Sequence, residues 1–149
     1  MHVRRFYFTI KRMKIGVAGS MHFTEKMVEV CKALEALGHT PFMSSFKDNY
    51  IGKNADEIEQ TKLRDKFQND AIREFWKPMQ DADALLVLNY EKHDIPNYIG
   101  GNAFLEMGFA HVLNQKLFLL NPIPDMPYYG TEIAAMRPQV INGDLSKIR

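Results

Sequence analysis

The chain has 149 residues and a formal net charge of +1, a size for one domain with a real core. Hydrophobic residues make up 46% and charged residues 25%, as in an ordinary globular protein, and so balanced a charge gives no electrostatic case for a nucleic-acid partner. A single cysteine, Cys31, excludes an internal disulfide; no Cys/His cluster has metal-ligand spacing, and no apolar run is long enough to span a membrane, so the expected location is cytoplasmic.

Residues 1–12 are basic, with Arg4, Arg5, Lys11 and Arg12 interleaved with Phe6, Tyr7, Phe8 and Ile10. The apolar core is broken and no small-residue cleavage site follows, so the segment fails as a signal peptide. It reads as an upstream extension or a loosely attached strand. The expected organisation is an extension over residues 1–13, with Met13 a candidate start, and one domain over residues 14–149.

Residues 14–20, Lys-Ile-Gly-Val-Ala-Gly-Ser, read as a first strand running into a Gly-Ser turn. Residues 24–37 carry a helical pattern, with Val28, Cys31, Leu34 and Leu37 three apart and Gly38 stopping the helix. The turn at Gly19, Ser20 and Met21 lies where a polar or anionic ligand meets a helix N-terminus. It lacks both a GxGxxG fingerprint and the lysine of a P-loop, which disfavours a strict dinucleotide fold. By itself the turn is explained by chain reversal.

Residues 39–43 form a short second strand, with His39 as a turn residue. Residues 44–54 are polar and irregular, a candidate flap over a cleft. One long charged helix is expected over residues 55–76, its charges reading as a solvated face and Pro78 ending it. Glu74, Asp81 and Asp83 precede the central strand, and each is a candidate second carboxylate for orienting a substrate hydroxyl or giving a proton to a leaving base. Asp81 and Asp83 read as turn residues; Glu74 is the stronger candidate.

The apolar run Ala84-Leu85-Leu86-Val87-Leu88-Asn89 reads as a buried strand, and residues 98–111 follow it as the organising stretch of the chain. Gly100 and Gly101 suit a turn where backbone approaches a ligand. Asn102 is the expected N-cap, with Ala103 opening a helix that is apolar on every side except at Glu106. The helix macrodipole favours the ionised form of that carboxyl, as a covalent nucleophile requires. A Glu that reaches solvent, or that satisfies free N–H groups of the first turn, explains the position equally well at this point.

Residues 116–121 give a fourth strand, and residues 122–129 a proline-stiffened loop where ligand-binding loops of open sheets occur. There Tyr128 and Tyr129 either stack on a base or simply pack. A short helix over residues 131–136 and a last short strand over residues 138–141 complete an α/β pattern. The expected architecture is a three-layer Rossmann-like or flavodoxin-like open sheet of about five parallel strands.

Four stretches carry a family resemblance: Ile15-Gly16-Val17-Ala18-Gly19-Ser20 with its helix ending at Leu37-Gly38-His39; Arg73-Glu74; Ala82-Asp83-Ala84-Leu85-Leu86-Val87; and, most specific, Glu106-Met107-Gly108-Phe109-Ala110. With these the chain resembles the nucleoside 2-deoxyribosyltransferase superfamily, which includes the 2′-deoxynucleoside 5′-phosphate N-hydrolases. The likeness runs from Lys14 to about Ile141 and is weakest in the last fifth. It implies an enzyme in which Glu106 attacks the anomeric carbon of a deoxyribosyl group, expels the base and passes the sugar to another base or to water, the two-step retaining logic. Glu74 would stand for the family's Asp that helps the leaving base. Gly19, Ser20 and Met21 would line the sugar side, and Gly100, Gly101 and Asn102 would complete the substrate-binding set. The partners implied are a small nucleoside or nucleotide and further copies of the chain, as a homodimer or larger homo-oligomer, with no cofactor or metal.

The chain departs from that pattern at two places. Gly100 stands six residues before the Glu, where the transferases usually have Asp and the hydrolases often a phosphate-binding Ser; Asn102-Ala103 replaces Gly-Thr or Gly-Ser. Backbone N–H groups at Gly100 and Gly101 remain able to hold an anion. Two alternatives stand beside the main reading. Gly100-Gly101 partly matches the Gly-Gly-x-Gly-Thr-x-x-Glu motif of nucleoside monophosphate phosphoribohydrolases, and a non-catalytic nucleotide or nucleoside sensor would need the cleft without the chemistry.

Overall fold

A computed structural model describes residues 11–149, so most of the expected N-terminal extension lies outside the described residues. Five strands form one open, wholly parallel sheet: β1 (Lys14–Gly19), β2 (Thr40–Phe42), β3 (Ala84–Leu88), β4 (Lys116–Leu119) and β5 (Gln139–Val140). Their spatial order is β2-β1-β3-β4-β5. All five residues of β3 are buried, because a central parallel strand is covered on both faces and reads as a continuous apolar run.

The period of two along β3 divides the core. Leu85 and Val87 face a cluster with Phe75, Met79, Ala103, Met107, Ala110 and Ile133. These residues come from α3 (Ala71–Met79), α4 (Gly101–Val112) and α5 (Gly130–Ala135). Ala84, Leu86 and Leu88 face the opposite cluster, with Met27 and Leu34 of α1 (Thr24–Ala36) and with Ile141 and Ile148 of the C-terminal segment. The three-layer, Rossmann-like architecture expected from the alternation of elements is the one observed. Met13 also packs into the second cluster, and its N–H donates to Nδ1 of His39 at 3.2 Å. His39 is therefore a buried tie between β1 and β2, with a role beyond turning the chain.

The single helix expected over residues 55–76 is two helices, α2 (Ala55–Phe67) and α3. Asp70 takes a left-handed backbone, φ 48°, which interrupts the helical path, and its side chain then caps α3 by accepting from the Arg73 N–H at 3.3 Å. Asn54 and Glu57 form a capping box that starts α2. The break matters for position. It lets α3 send Phe75 and Met79 into the sheet core while α2 packs on the turn after β1.

At the carboxyl ends of β3 and β4 two asparagines lock the chain. Buried Asn89 donates from Nδ2 to the carbonyls of Asn121 and Pro122 at 3.0 and 3.1 Å, and its Oδ1 accepts from the Asn121 N–H at 2.9 Å. Asn121 Nδ2 donates back to the Asn89 carbonyl at 3.1 Å. The loop after β4 is pinned separately, by Tyr129, which stacks on Phe104 at 4.6 Å and donates to the Ile99 carbonyl at 2.6 Å. Tyr128 is fully exposed.

Candidate active site

The sheet order reverses between β1 and β3: from β1 the chain goes outward to β2, and from β3 it goes the other way to β4. Loops leaving the carboxyl ends of such strands diverge and leave a crevice, the usual ligand site of open α/β sheets. A cavity of about 200 Å³ occupies that position. Gly19, Ser20 and Met21 enter it after β1, and Gly100, Gly101, Asn102 and Glu106 enter it from the start of α4. These two groups, far apart in sequence, are brought together as expected. Gly19 sits close against β3, where a Cβ would lie 3.1 Å from the Leu88 carbonyl oxygen. At Gly100 a Cβ would press on the Tyr98 ring at 3.2 Å.

Helix α4 starts earlier than the sequence suggests. Its N-cap is Gly100, in an extended conformation without a side-chain cap, and Asn102 lies inside the first turn. The first intrahelical bond runs from the Phe104 N–H to the Gly100 carbonyl at 2.9 Å, so the N–H groups of Gly101, Asn102 and Ala103 have no partner within the helix. This shift moves Glu106 into the second turn, past the range of the macrodipole. Burial dominates instead and pushes the Glu106 carboxyl up to about 8, and among the described residues no neighbouring charge or hydrogen bond offsets it. The expectation of an ionised carboxylate at neutral pH is thus reversed for the free protein. Glu106 is a protonated, poorly solvated acid that ionises just above neutrality.

The second carboxylate in the cavity is Asp65 of α2. It is 2% exposed, accepts from the Tyr50 hydroxyl at 2.7 Å and accepts from Asn69 Nδ2 at 2.9 Å. Tyr50 comes from the segment after β2, with Ser44 and Phe46 also against the cavity. That segment stands beside the cleft, where a flap was expected. Glu74 is not among the lining residues. On α3 it is Ala71 and Phe75, one turn apart, that face the cavity, and Glu74 points elsewhere, accepting from Lys77 Nζ at 2.6 Å. Asp83 accepts from the Lys14 N–H at 2.8 Å and Asp81 pairs with Lys14 Nζ. Both lie at the amino ends of the strands, the end of the sheet away from the cavity.

Three lysines complete the lining: Lys62 and Lys66 from α2, and Lys92 from the loop after β3. Lys92 Nζ donates to Ser20 Oγ at 2.9 Å. Burial, and then the charge of Lys62, bring Lys92 down to about 8. Ser20 Oγ also accepts from the His22 N–H at 3.4 Å, which leaves the hydroxyl proton free to donate to a ligand. Glu59 gathers His22 Nε2 at 2.5 Å and Lys62 Nζ at 3.2 Å, and this holds its carboxyl down at about 2.

Asp65, Lys62 and Lys66 escape a reading of sequence because α2 looks like a charged surface helix, and Tyr50 and Lys92 because they stand alone in irregular segments. The available signal is the spacing Lys62, Asp65, Lys66, which puts three charges on one helical face. Among the described residues, no group of three or more His, Cys, Asp or Glu is gathered to hold a metal ion, and no helix is long and apolar enough to cross a membrane. Comparison of the sequence with protein-family models and with curated proteins finds no match.

Proposed function

We propose that this cavity cleaves or transfers the N-glycosidic bond of a nucleoside or nucleotide, with Glu106 as the nucleophile. The observation that carries the reading is a half-buried, desolvated carboxyl, unpaired among the described residues, at the sheet's switch point, in one cavity with the buried Asp65 carboxylate and a helix N-terminus with free N–H groups. Such a carboxyl costs stability and is characteristic of functional sites. In the first step ionised Glu106 bonds to the anomeric carbon, the carbon–nitrogen bond breaks, and the base leaves with the electron pair and takes a proton from solvent. In the second step water or another base attacks the same carbon; Glu106 departs as carboxylate, and the attacking group gives up its proton to solvent. Asp65, held by Tyr50 and Asn69, takes over the orienting role first assigned to Glu74.

One observation favours a binding site without turnover: at neutral pH the neutral Glu106 can donate a hydrogen bond but cannot attack. Chromatographic assay of free base separates the two. The panel is nucleosides and their 5′-monophosphates, each with and without a second base, beside Glu106→Ala. Base release by the intact protein that is lost in Glu106→Ala supports the covalent mechanism, and dependence on the second base distinguishes transfer from hydrolysis. No release from any member of the panel refutes the enzymatic reading.

A further inference from the structure

Ser20 and Lys92 form a hydrogen-bonded pair that the glycosidic mechanism leaves unused. Ser20 follows β1, Lys92 lies in the loop after β3, and both line the cavity. Lys92 Nζ stands 2.9 Å from Ser20 Oγ. The ammonium is half-buried and, among the described residues, has no carboxylate partner. Lys62 and Lys66 act on it as like charges, with Glu59 opposing them. Desolvation beside further cations is how a lysine becomes a neutral base near physiological pH. A tie to a serine hydroxyl needs no charge, so an unpaired, half-buried ammonium here calls for a chemical reason.

A hydroxyl within hydrogen-bond reach of such an amine is the nucleophile–base unit of acyl transfer. The same cavity takes in the start of α4, where the N–H groups of Gly101, Asn102 and Ala103 have no partner in the helix and supply the donors an oxyanion needs. Phe46 and Phe75 add apolar wall, and the volume of about 200 Å³ suits a short acyl chain. We propose that this cavity carries a second activity, a serine–lysine acyl transfer in which Ser20 is the nucleophile, Lys92 the base and a short-chain carboxylic ester the substrate. Neutral Lys92 takes the hydroxyl proton as Ser20 Oγ bonds to the carbonyl carbon, whose oxygen keeps the electron pair. The oxyanion then collapses, the bond to the alcohol breaks, and Lys92 returns the proton to the departing alkoxide. Water attacks the acyl-serine in the same way: Lys92 takes its proton and hands it to Ser20 Oγ as the carboxylic acid leaves. Neither Glu106 nor an anomeric carbon takes part, so this activity stands apart from the glycosidic reading.

The test is incubation of the full chain with p-nitrophenyl acetate. Release of nitrophenol is followed, and the acetyl group is located by peptide mass spectrometry after an acid quench. Acetyl on Ser20 is expected, with a rate that climbs about tenfold per pH unit below about pH 8 and levels off above it. Ser20→Ala should reduce release to the spontaneous rate, and Lys92→Met should slow it by about a hundredfold or more. Lys92→Arg keeps the charge and a donor to Ser20 but has no neutral form, so it should be as slow as Lys92→Met, whereas a merely structural cation would be rescued. Lys32→Met, on α1 outside the cavity, removes one positive charge and should match the intact protein. Acetyl on another residue, undiminished release in Ser20→Ala, full activity in Lys92→Arg, or no release above the spontaneous rate overturns the proposal. The intact protein alone gives the acylation site and the pH profile, so the test survives a variant that does not fold. Base release from nucleosides is a separate readout, and either activity fails without the other.

Discussion

Glu106→Gln keeps the shape of the side chain and deletes its charge, so it separates the stability cost of this carboxyl from its packing. The folded protein holds the Glu106 proton up to about pH 8, whereas an unfolded chain releases it near 4.5. Between those values the folded state binds more protons than the unfolded state, and stability therefore falls as pH rises through the window and levels off above it. At pH 7 the cost has accumulated over about 2.5 pH units at roughly 1.4 kcal/mol each, about 3.5 kcal/mol. That figure is a ceiling, because the carboxyl keeps some access to water through the cavity. The Gln side chain carries no such cost. Urea unfolding of both proteins across pH 4 to 8 measures the difference directly, and titrations common to the two cancel. The advantage of Glu106→Gln should be smallest at pH 4 and should grow by up to about 3.5 kcal/mol at pH 7. A difference that stays constant across the range refutes the assignment of Glu106 as a desolvated acid.

The same titration predicts that kcat/KM for base release climbs about tenfold per pH unit between pH 5 and 7, where only the ionised fraction of Glu106 attacks; a flat profile there refutes Glu106 as the nucleophile. Tyr50→Phe removes the 2.7 Å hydrogen bond to buried Asp65 and should cost about 1.5–3 kcal/mol, with a matching loss of substrate affinity, read by thermal unfolding and calorimetry. Asn89→Ala breaks the lock between the ends of β3 and β4 and strands the Asn121 N–H. Destabilisation of about 2–4 kcal/mol is expected in urea; a change below about 0.5 kcal/mol would show that the lock contributes little.

Much of the architecture was legible in the order of residues alone. The run from Ala84 to Leu88 announces a strand covered on both faces, the Gly-Ser and Gly-Gly turns mark the carboxyl ends of β1 and β3, and strands alternating with helices imply a parallel sheet. Local pattern suffices there because each signal is carried by neighbouring residues. Glu106 was legible for the same reason, as a carboxyl out of place on an apolar helix.

The rest was settled by the tertiary fold. Residues 55–76 have the composition of one helix, and only the left-handed Asp70 divides them and allows α2 to pack on the turn after β1. That placement converts Asp65 from one charge among many into a buried cavity carboxylate, and it leaves Glu74 on the far side of α3. The charge state of Glu106 was decided in the same way. The macrodipole is a property of helix position and depends on where α4 begins, whereas desolvation depends on every element around the carboxyl. Sequence by itself singled out Glu106 on α4 and the turn after β1 as candidates; which partners they meet, and in what protonation state, followed from packing between segments that no local pattern connects.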